Sequence, residues 1–352
     1  MVYEQCIYKD NVEYLFKNGE VIDNVAFVER FIKELNLCEN DICIIDRAGY
    51  LDYIQPLFEN KGKSKLVAVL HSDHFYKMYE NEGSLYMNYE YYYWFKYSEA
   101  IDCFVVGTDE HKRSLEAFLK EYDCFVPHIV AIPPGALPEC KLNNKNERRR
   151  GSIISASRLS PRKGIDILIK SVIKAHELNQ IINLDIYGSG DDEYTIYLQN
   201  IVKDAGADDY IHFKGHCNLK KIYPHYELFA SFSLCETFGL SLMEAVGDGL
   251  AMVGLDVRYG NRLFIHQDEN GYLVDFDVET DFQNKDKLCE RTAAAIVKIF
   301  EDDNRLKKFH ENSYKIAEEY ENHIIESKWI QLIKNILDLN PSSLILQRNA
   351  VT

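Results

Sequence analysis

The sequence predicts an α/β protein of two domains, each a parallel sheet with helices on both faces. Three observations lead there. Apolar runs of strand length alternate with helix-period segments along most of the chain, the signature of parallel sheets covered on both sides. A length of 352 residues, 46% of them hydrophobic, suffices to bury two modest cores. The polar stretch Lys141-Leu-Asn-Asn-Lys-Asn-Glu-Arg-Arg-Arg150, after Pro133-Pro134-Gly135, reads as a linker between two halves.

Taken in order, residues 1–37 have a strand-turn-helix look, with Glu13 to Phe16, the turn Asn18-Gly19 and then Phe27 to Leu35. Four strands are predicted in the first half: Asp41 to Asp46, Lys65 to His71, Cys103 to Gly107 and His128 to Ile132. Between the second and third lies Tyr86-Met-Asn-Tyr-Glu-Tyr-Tyr-Tyr-Trp-Phe-Lys-Tyr97, read as a strongly aromatic helix. Beyond the linker, strands are predicted near 152–156, 183–187, 210–213, 228–234 and 251–255. From Asp302 to Leu337 the pattern is helical, with apolar residues near Ile316, Ile324, Trp329, Leu332 and Ile336. The tail from Asn340 reads as frayed, and there is no internal repeat.

Composition narrows the function classes. The formal charge of −16 argues against nucleic acid as a general partner, because no broad cationic surface offsets phosphate repulsion. Nine scattered cysteines without a CxxC pair disfavour structural zinc and a secreted disulfide framework. No run approaches the ~18 apolar residues of a membrane helix, and the start Met1-Val-Tyr-Glu-Gln is no signal peptide. A soluble cytoplasmic protein with reduced thiols is expected.

Two segments carry chemistry. In Glu236-Thr-Phe-Gly-Leu-Ser-Leu-Met-Glu244, the buried strand 228–234 runs into a loop, and Gly239 breaks the chain into a helix. One carboxylate therefore sits in a strand-to-helix loop and the other in the first turns of the helix. In an open α/β sheet ligands bind in that crevice, where helix N–H groups favour an anion. An isolated pair of this kind is more often a helix cap and a solvated face. The second segment is Ser155-Ala-Ser-Arg158-Leu-Ser-Pro-Arg162-Lys163-Gly164-Ile-Asp166, where a strand enters a loop of three cations and then a helix from Ile165 to His176. Arg158 can fork two phosphate oxygens while Lys163 adds a point charge. Alone, it is an ordinary basic loop. Together, a cationic loop and a carboxylate pair at two strand ends point to an activated sugar.

With Arg158, Lys163, Glu236 and Glu244 in this order and at this separation, the chain from about Gly151 to Asp275 resembles the family 4 type of GT-B-fold retaining glycosyltransferases. The resemblance implies two Rossmann-like domains facing across a cleft, the first of them incomplete. Their expected bounds are 1–140 and 147–325, with a helix of about 326–340 returning to the first domain. It also implies that Arg158 and Lys163 hold the donor diphosphate, Glu236 faces the donor sugar and Glu244 holds the ribose hydroxyls. Phe238, Gly239 and Leu240 line the donor site at the helix start. Leu184-Asp-Ile-Tyr-Gly188-Ser-Gly190 resembles the family's strand and Gly turn. Ile211-His-Phe-Lys214-Gly215-His216 resembles the strand and loop of the nucleobase pocket, where backbone groups do most of the reading. No metal and no cofactor are expected beyond the UDP-sugar itself.

In the first half, His71-Ser-Asp-His74-Phe75 ends the best strand. Two histidines three apart invite a metal reading, yet a catalytic zinc needs a third ligand that nothing nearby supplies. Satisfied loop histidines, or contact of His71 or His74 with the donor sugar opposite Glu236, are the other readings. The aromatic helix is a packed helix-to-sheet face or an acceptor platform. Together with Asp256-Val-Arg-Tyr259-Gly260-Asn261, these segments resemble the catalytic subunits that add N-acetylglucosamine to Ser/Thr-rich bacterial adhesins before export, a resemblance that implies His74 and Tyr259 on the acceptor side. They are also similar to wall teichoic acid α-glycosyltransferases. The first resemblance implies a non-catalytic partner subunit and, through it, peripheral membrane association. Against the family pattern, the opening strand and Gly-rich loop are missing, so the chain reads as N-terminally truncated. A donor-binding protein with little autonomous activity is the second class of expectation.

Overall fold

The computed structural model describes residues 38–39, 41–46, 58, 61–77, 85–87, 91–138 and 147–338. The expected strand-turn-helix of residues 1–37, most of the linker and the tail from 340 lie outside the described residues. The first half contains β1 (Ile42–Asp46), β2 (Lys65–Leu70), β3 (Phe75–Lys77), β4 (Leu85–Met87), α1 (Tyr92–Lys96), β5 (Cys103–Val106), α2 (Asp109–Glu121) and β6 (His128–Ala131). The second begins with β7 (Ser152–Ala156), α3 (Ile165–Leu178), β8 (Asn183–Tyr187), α4 (Asp192–Asp204), β9 (Ile211–Gly215) and β10 (Leu228–Ser231). It continues with α5 (Leu240–Gly247), β11 (Ala251–Leu255), α6 (Gly260–Phe264), β12 (Gly271–Val274), α7 (Val278–Gln283), α8 (Lys285–Phe300), α9 (Asp303–Glu318) and α10 (Asn322–Asp338).

Two parallel sheets result, ordered β1-β2-β5-β6 and β12-β11-β10-β7-β8-β9. These are the two α/β units that the alternating pattern predicts, because strands buried on both faces read as unbroken apolar runs. In β2 the alternation sorts the faces. Leu66, Ala68 and Leu70 join a core with Trp94, Phe95, Phe104 and Leu115, while Val67 and Val69 meet Ile325, Leu332 and Ile336 of α10 on the other side. The larger sheet is likewise covered by α3 and α8 on one face and by α5 on the other, with α9 reaching both cores through Leu306 and Phe309 on one side and Ala317 on the other.

Several elements differ from the sequence expectation. The aromatic segment is not one helix from Tyr86: Leu85–Met87 pairs antiparallel with Phe75–Lys77, and α1 spans only Tyr92–Lys96. Aromatic residues suit a strand as well as a helix, so composition could not separate the two. Tyr91, Trp94 and Phe95 are buried in the first core, the packed-face reading of this segment. The sheet also gains β12, at only four residues too short to announce itself by period. Finally, the helical stretch from 302 is two helices, broken where the Leu137 N–H donates to the Tyr320 carbonyl (2.7 Å) and the Asn322 N–H donates to the Leu137 carbonyl (2.8 Å). The chain leaving the first sheet and the chain returning to it are thus hydrogen-bonded at their crossing.

Candidate active site

The strand ends of the second sheet build the site. After β7 the chain makes a loop closed by Gly164, whose φ of 60° and position against the Phe232 carbonyl leave no room for a side chain: a Cβ would lie 2.2 Å from that oxygen. The Leu234 N–H donates to the Arg162 carbonyl at 2.9 Å. The cationic loop is therefore laid directly against the exit of β10. As a result Lys163 Nζ meets Glu236 Oε2 at 2.6 Å, with side chains 26% and 17% exposed. Arg158 on the same loop is exposed and forms no salt bridge among the described residues. Arg162 turns elsewhere: it donates to Cys235 Sγ (3.4 Å) and borders a separate cavity with Asp166, Tyr194 and Lys285. The loop thus divides its three cations rather than converging all of them.

Glu236 is held by its backbone. Its carbonyl accepts the N–H groups of Tyr259 (2.6 Å) and Gly260 (2.7 Å), tying the loop after β10 to the loop after β11. Phe238 is buried, and Gly239, with φ 89°, opens α5 without a side-chain cap. The first N–H groups of α5, beginning at the half-exposed Leu240, are therefore available to an anion. One turn on, Glu244 Oε2 accepts a hydrogen bond from the Tyr223 hydroxyl at 3.3 Å, and partial burial raises its carboxyl above the ordinary range.

The Gly turn after β8 completes this wall. A Cβ on Gly188, at φ 137°, would lie 1.8 Å from the Ser157 carbonyl oxygen, and the Gly188 N–H donates to the Gly215 carbonyl (2.8 Å). The turn thus clamps the cationic loop to the strand that carries Lys214 and leads into His216. Lys214 Nζ lies 3.5 Å from the buried Asp185, which also receives Arg149, His212 and the Tyr226 hydroxyl. The Lys214 head is committed to that carboxylate, and His216 is exposed.

The first sheet points its strand ends at this wall. A Cβ on Gly107, after β5, would sit 3.3 Å from the Phe238 ring, and one on Gly135, after β6, would sit 2.6 Å from Leu240. His71 faces Asp46 at the end of β1 (Nε2 to Oδ1, 2.5 Å) and is partly exposed. His74 is fully buried. Its ring stacks on His111 of α2 (centroids 5.6 Å, planes 6° apart), and His111 stacks on Tyr259 (5.0 Å, 12°). The Tyr259 hydroxyl donates to Asp73 Oδ1 (3.1 Å), and Arg258 lies 3.4 Å from the same carboxylate. Tyr259, expected on the acceptor side, is thus 1% exposed and joins the two domains. Burial holds His74 down to about 4 and His111 down to about 3, with Arg258 adding to both, so both rings are neutral at pH 7.

Asp73, His74 and His111 place three potential ligand atoms within 4.8 Å of one another, so the structure supplies the third ligand type that sequence could not. The two imidazoles, however, are stacked and nearly parallel, and imidazole lone pairs lie in the ring plane. The arrangement is an interdomain aromatic column. Its members Asp73, His111 and Arg258 escaped the sequence reading, as did Tyr223. Asp73 and Arg258 had a local signal, lying inside the histidine motif and the Asp256-to-Asn261 segment.

Residues 141–316 match the family model of the group 1 glycosyl transferases. The chain is 36% identical over 324 residues, 92% of its length, to the GtfA subunit of UDP-N-acetylglucosamine–peptide N-acetylglucosaminyltransferase from Streptococcus pneumoniae. It spans 63% of that relative's length. A crystal structure of a GtfA/B complex superposes with a TM-score of 0.80 at 35% identity, covering 96% of this chain and 63% of the other. A poly(glycerol-phosphate) alpha-glucosyltransferase from Bacillus subtilis is similar at 26% identity over 68% of this chain and 33% of its own.

Proposed function

Because the chain belongs to the group 1 glycosyl transferases and has their GT-B fold, we propose that it transfers N-acetylglucosamine from UDP-N-acetylglucosamine, with retention, to Ser/Thr hydroxyls of a bacterial surface adhesin. The observation that carries this reading is the Lys163–Glu236 pair, held at 2.6 Å beside an uncapped helix start and an exposed Arg158. Cation, helix dipole and carboxylate stand together there, the set needed to hold a diphosphate and an adjoining sugar. The donor and peptide acceptor are those of the pneumococcal relative, whose 36% identity to this chain exceeds the 26% and 24% of the poly(glycerol-phosphate) and poly(ribitol-phosphate) transferases.

In this reading the bond from the anomeric carbon to the β-phosphate breaks while Arg158, Lys163 and the α5 N–H groups stabilise the growing negative charge on UDP. Glu236 orients the sugar and favours positive charge at the anomeric carbon. The acceptor hydroxyl forms its bond on the face the phosphate leaves, and its proton passes to the departing phosphate oxygen. The cationic groups supply the positive charge that such a step needs, so no metal ion is invoked. Glu244 holds the ribose hydroxyls, and Lys214 and His216 flank the base pocket with their backbone groups. The GtfA/B complex supports a second subunit as partner. No helix among the described residues is long and apolar enough to cross a membrane; peripheral membrane association, in this reading, comes with the partner.

The test is release of free UDP from UDP-N-acetylglucosamine and from UDP-glucose, with a Ser/Thr-rich peptide or poly(glycerol phosphate) as acceptor, with and without a partner subunit. Peptide-stimulated release from UDP-N-acetylglucosamine is expected, abolished in Glu236→Gln while UDP binding persists. Near-normal turnover by that variant removes Glu236 from its role. Stimulation by the polyol phosphate alone transfers the protein to the other acceptor class.

A further inference from the structure

Tyr223 connects two nucleoside-facing segments that are distant in sequence. It opens a short 3₁₀ turn, Tyr223–His225, which follows β9 and the exposed loop Lys214-Gly215-His216, and precedes β10. Its ring is 1% exposed and packs against Phe229 of β10 (centroids 6.1 Å). Pro224 and the Tyr226 N–H, which donates to the Tyr223 carbonyl at 3.0 Å, hold the turn in place. From this fixed position its hydroxyl donates to Glu244 Oε2 at 3.3 Å.

A buried ring here would pack as well without its oxygen; the hydroxyl matters only through the carboxylate it meets. Burial and the nearby Glu244 and Asp248 carboxylates push the Tyr223 phenol far above its ordinary range, so the group is a permanent donor. The same hydrogen bond opposes the burial that raises Glu244, favouring the ionised form that accepts from hydroxyls. The other Glu244 oxygen makes no hydrogen bond among the described residues.

We propose that Tyr223 is a positioning residue for donor recognition: by fixing one oxygen of Glu244 it orients the carboxylate to read the ribose diol of a uridine diphosphate, coupling the base-side loop to the ribose-side helix. The inference rests on Glu244 as the ribose contact. The two-oxygen geometry is what distinguishes it from simple packing, since a vicinal diol is gripped only by a carboxylate held in one rotamer.

The test measures affinities of UDP and 2′,3′-dideoxy-UDP by calorimetry for the wild type, Tyr223→Phe, Glu244→Ala and the double variant, with thermal melting as a check of folding. Wild type is expected to prefer UDP by roughly tenfold or more, the range of hydrogen bonds to a charged group. Glu244→Ala brings the ratio close to one. Tyr223→Phe lowers it by about threefold or more and raises KM for the donor more than it lowers kcat, and adds nothing in the Glu244→Ala background. A packing role alone would weaken both ligands equally, and an unchanged ratio in Tyr223→Phe beside a collapsed one in Glu244→Ala overturns the proposal. A preserved ratio in Glu244→Ala overturns the ribose assignment itself, and the proposal with it.

Discussion

Lys163 and Glu236 are a half-buried ion pair when no donor is bound, and this sets what a substitution does. The ammonium is shared between a carboxylate it already meets and a phosphate it would meet. Lys163→Met removes one charge-assisted contact to the leaving group, worth about 1.5–3 kcal/mol, and frees Glu236 from its restraint. Transfer is expected to slow by roughly tenfold to a hundredfold or more in steady-state UDP release, with the melting temperature little changed. An unaltered rate would separate Lys163 from the diphosphate. Glu236, Lys163 and Arg158 were legible because each sits at a strand-to-helix junction whose apolar run and glycine are local signals. Tyr223, His111 and Asp73 were not, because their partners lie 21 to 186 positions away in sequence.

Among elements, the close approach of the β7–α3 loop to the β10 exit depends on Gly164. Two glycines with the same backbone conformation make the test: Gly164 at φ 60°, against the Phe232 carbonyl, and Gly206 at φ 62°, with nothing within 4 Å of the position a Cβ would take. Gly206→Ala carries only the left-handed cost, about 1–2 kcal/mol. Gly164→Ala adds a backbone clash and should lose at least about 1 kcal/mol more in chemical denaturation, with weakened UDP binding because Lys163 is displaced. Equal losses would mean that the loop yields easily. The strands of the second sheet were readable from apolar runs, whereas α8 passed unread although Leu288, Ile296 and Ile299 line its buried face. A helix between long polar stretches shows its apolar stripe only once the sheet it covers is known.

For the whole molecule, the column His74–His111–Tyr259 with Asp73 and Arg258 is one place where the two domains meet, joined nearby by Arg262 to Glu110 at 3.0 Å. It also makes the fold acid-sensitive. His74 and His111, held down to about 4 and about 3 by burial, bind protons more readily unfolded than folded. Their contribution is complete above the ordinary histidine value near 6.5, and is lost progressively as pH falls from there toward 3. The melting temperature should therefore drop between pH 7 and pH 4. His111→Phe, which keeps a ring in the stack, should show a shallower drop. A pH profile parallel to wild type would mean that His111 titrates alike in both states.

By itself the sequence determined the α/β class, the two parallel units, and the strand-to-helix junctions carrying the cationic loop and the glutamates. Hydrophobic period, turn residues and charge placement are all written within a dozen positions. Only the tertiary structure decided which of three cations turns to Glu236, that Tyr259 joins the domains through Asp73, that His74 and His111 stack on each other, and that Tyr223 holds Glu244. Those pairings depend on where separate loops arrive at the ends of two sheets. Arrival is set by strand order and packing, which no local stretch of sequence encodes.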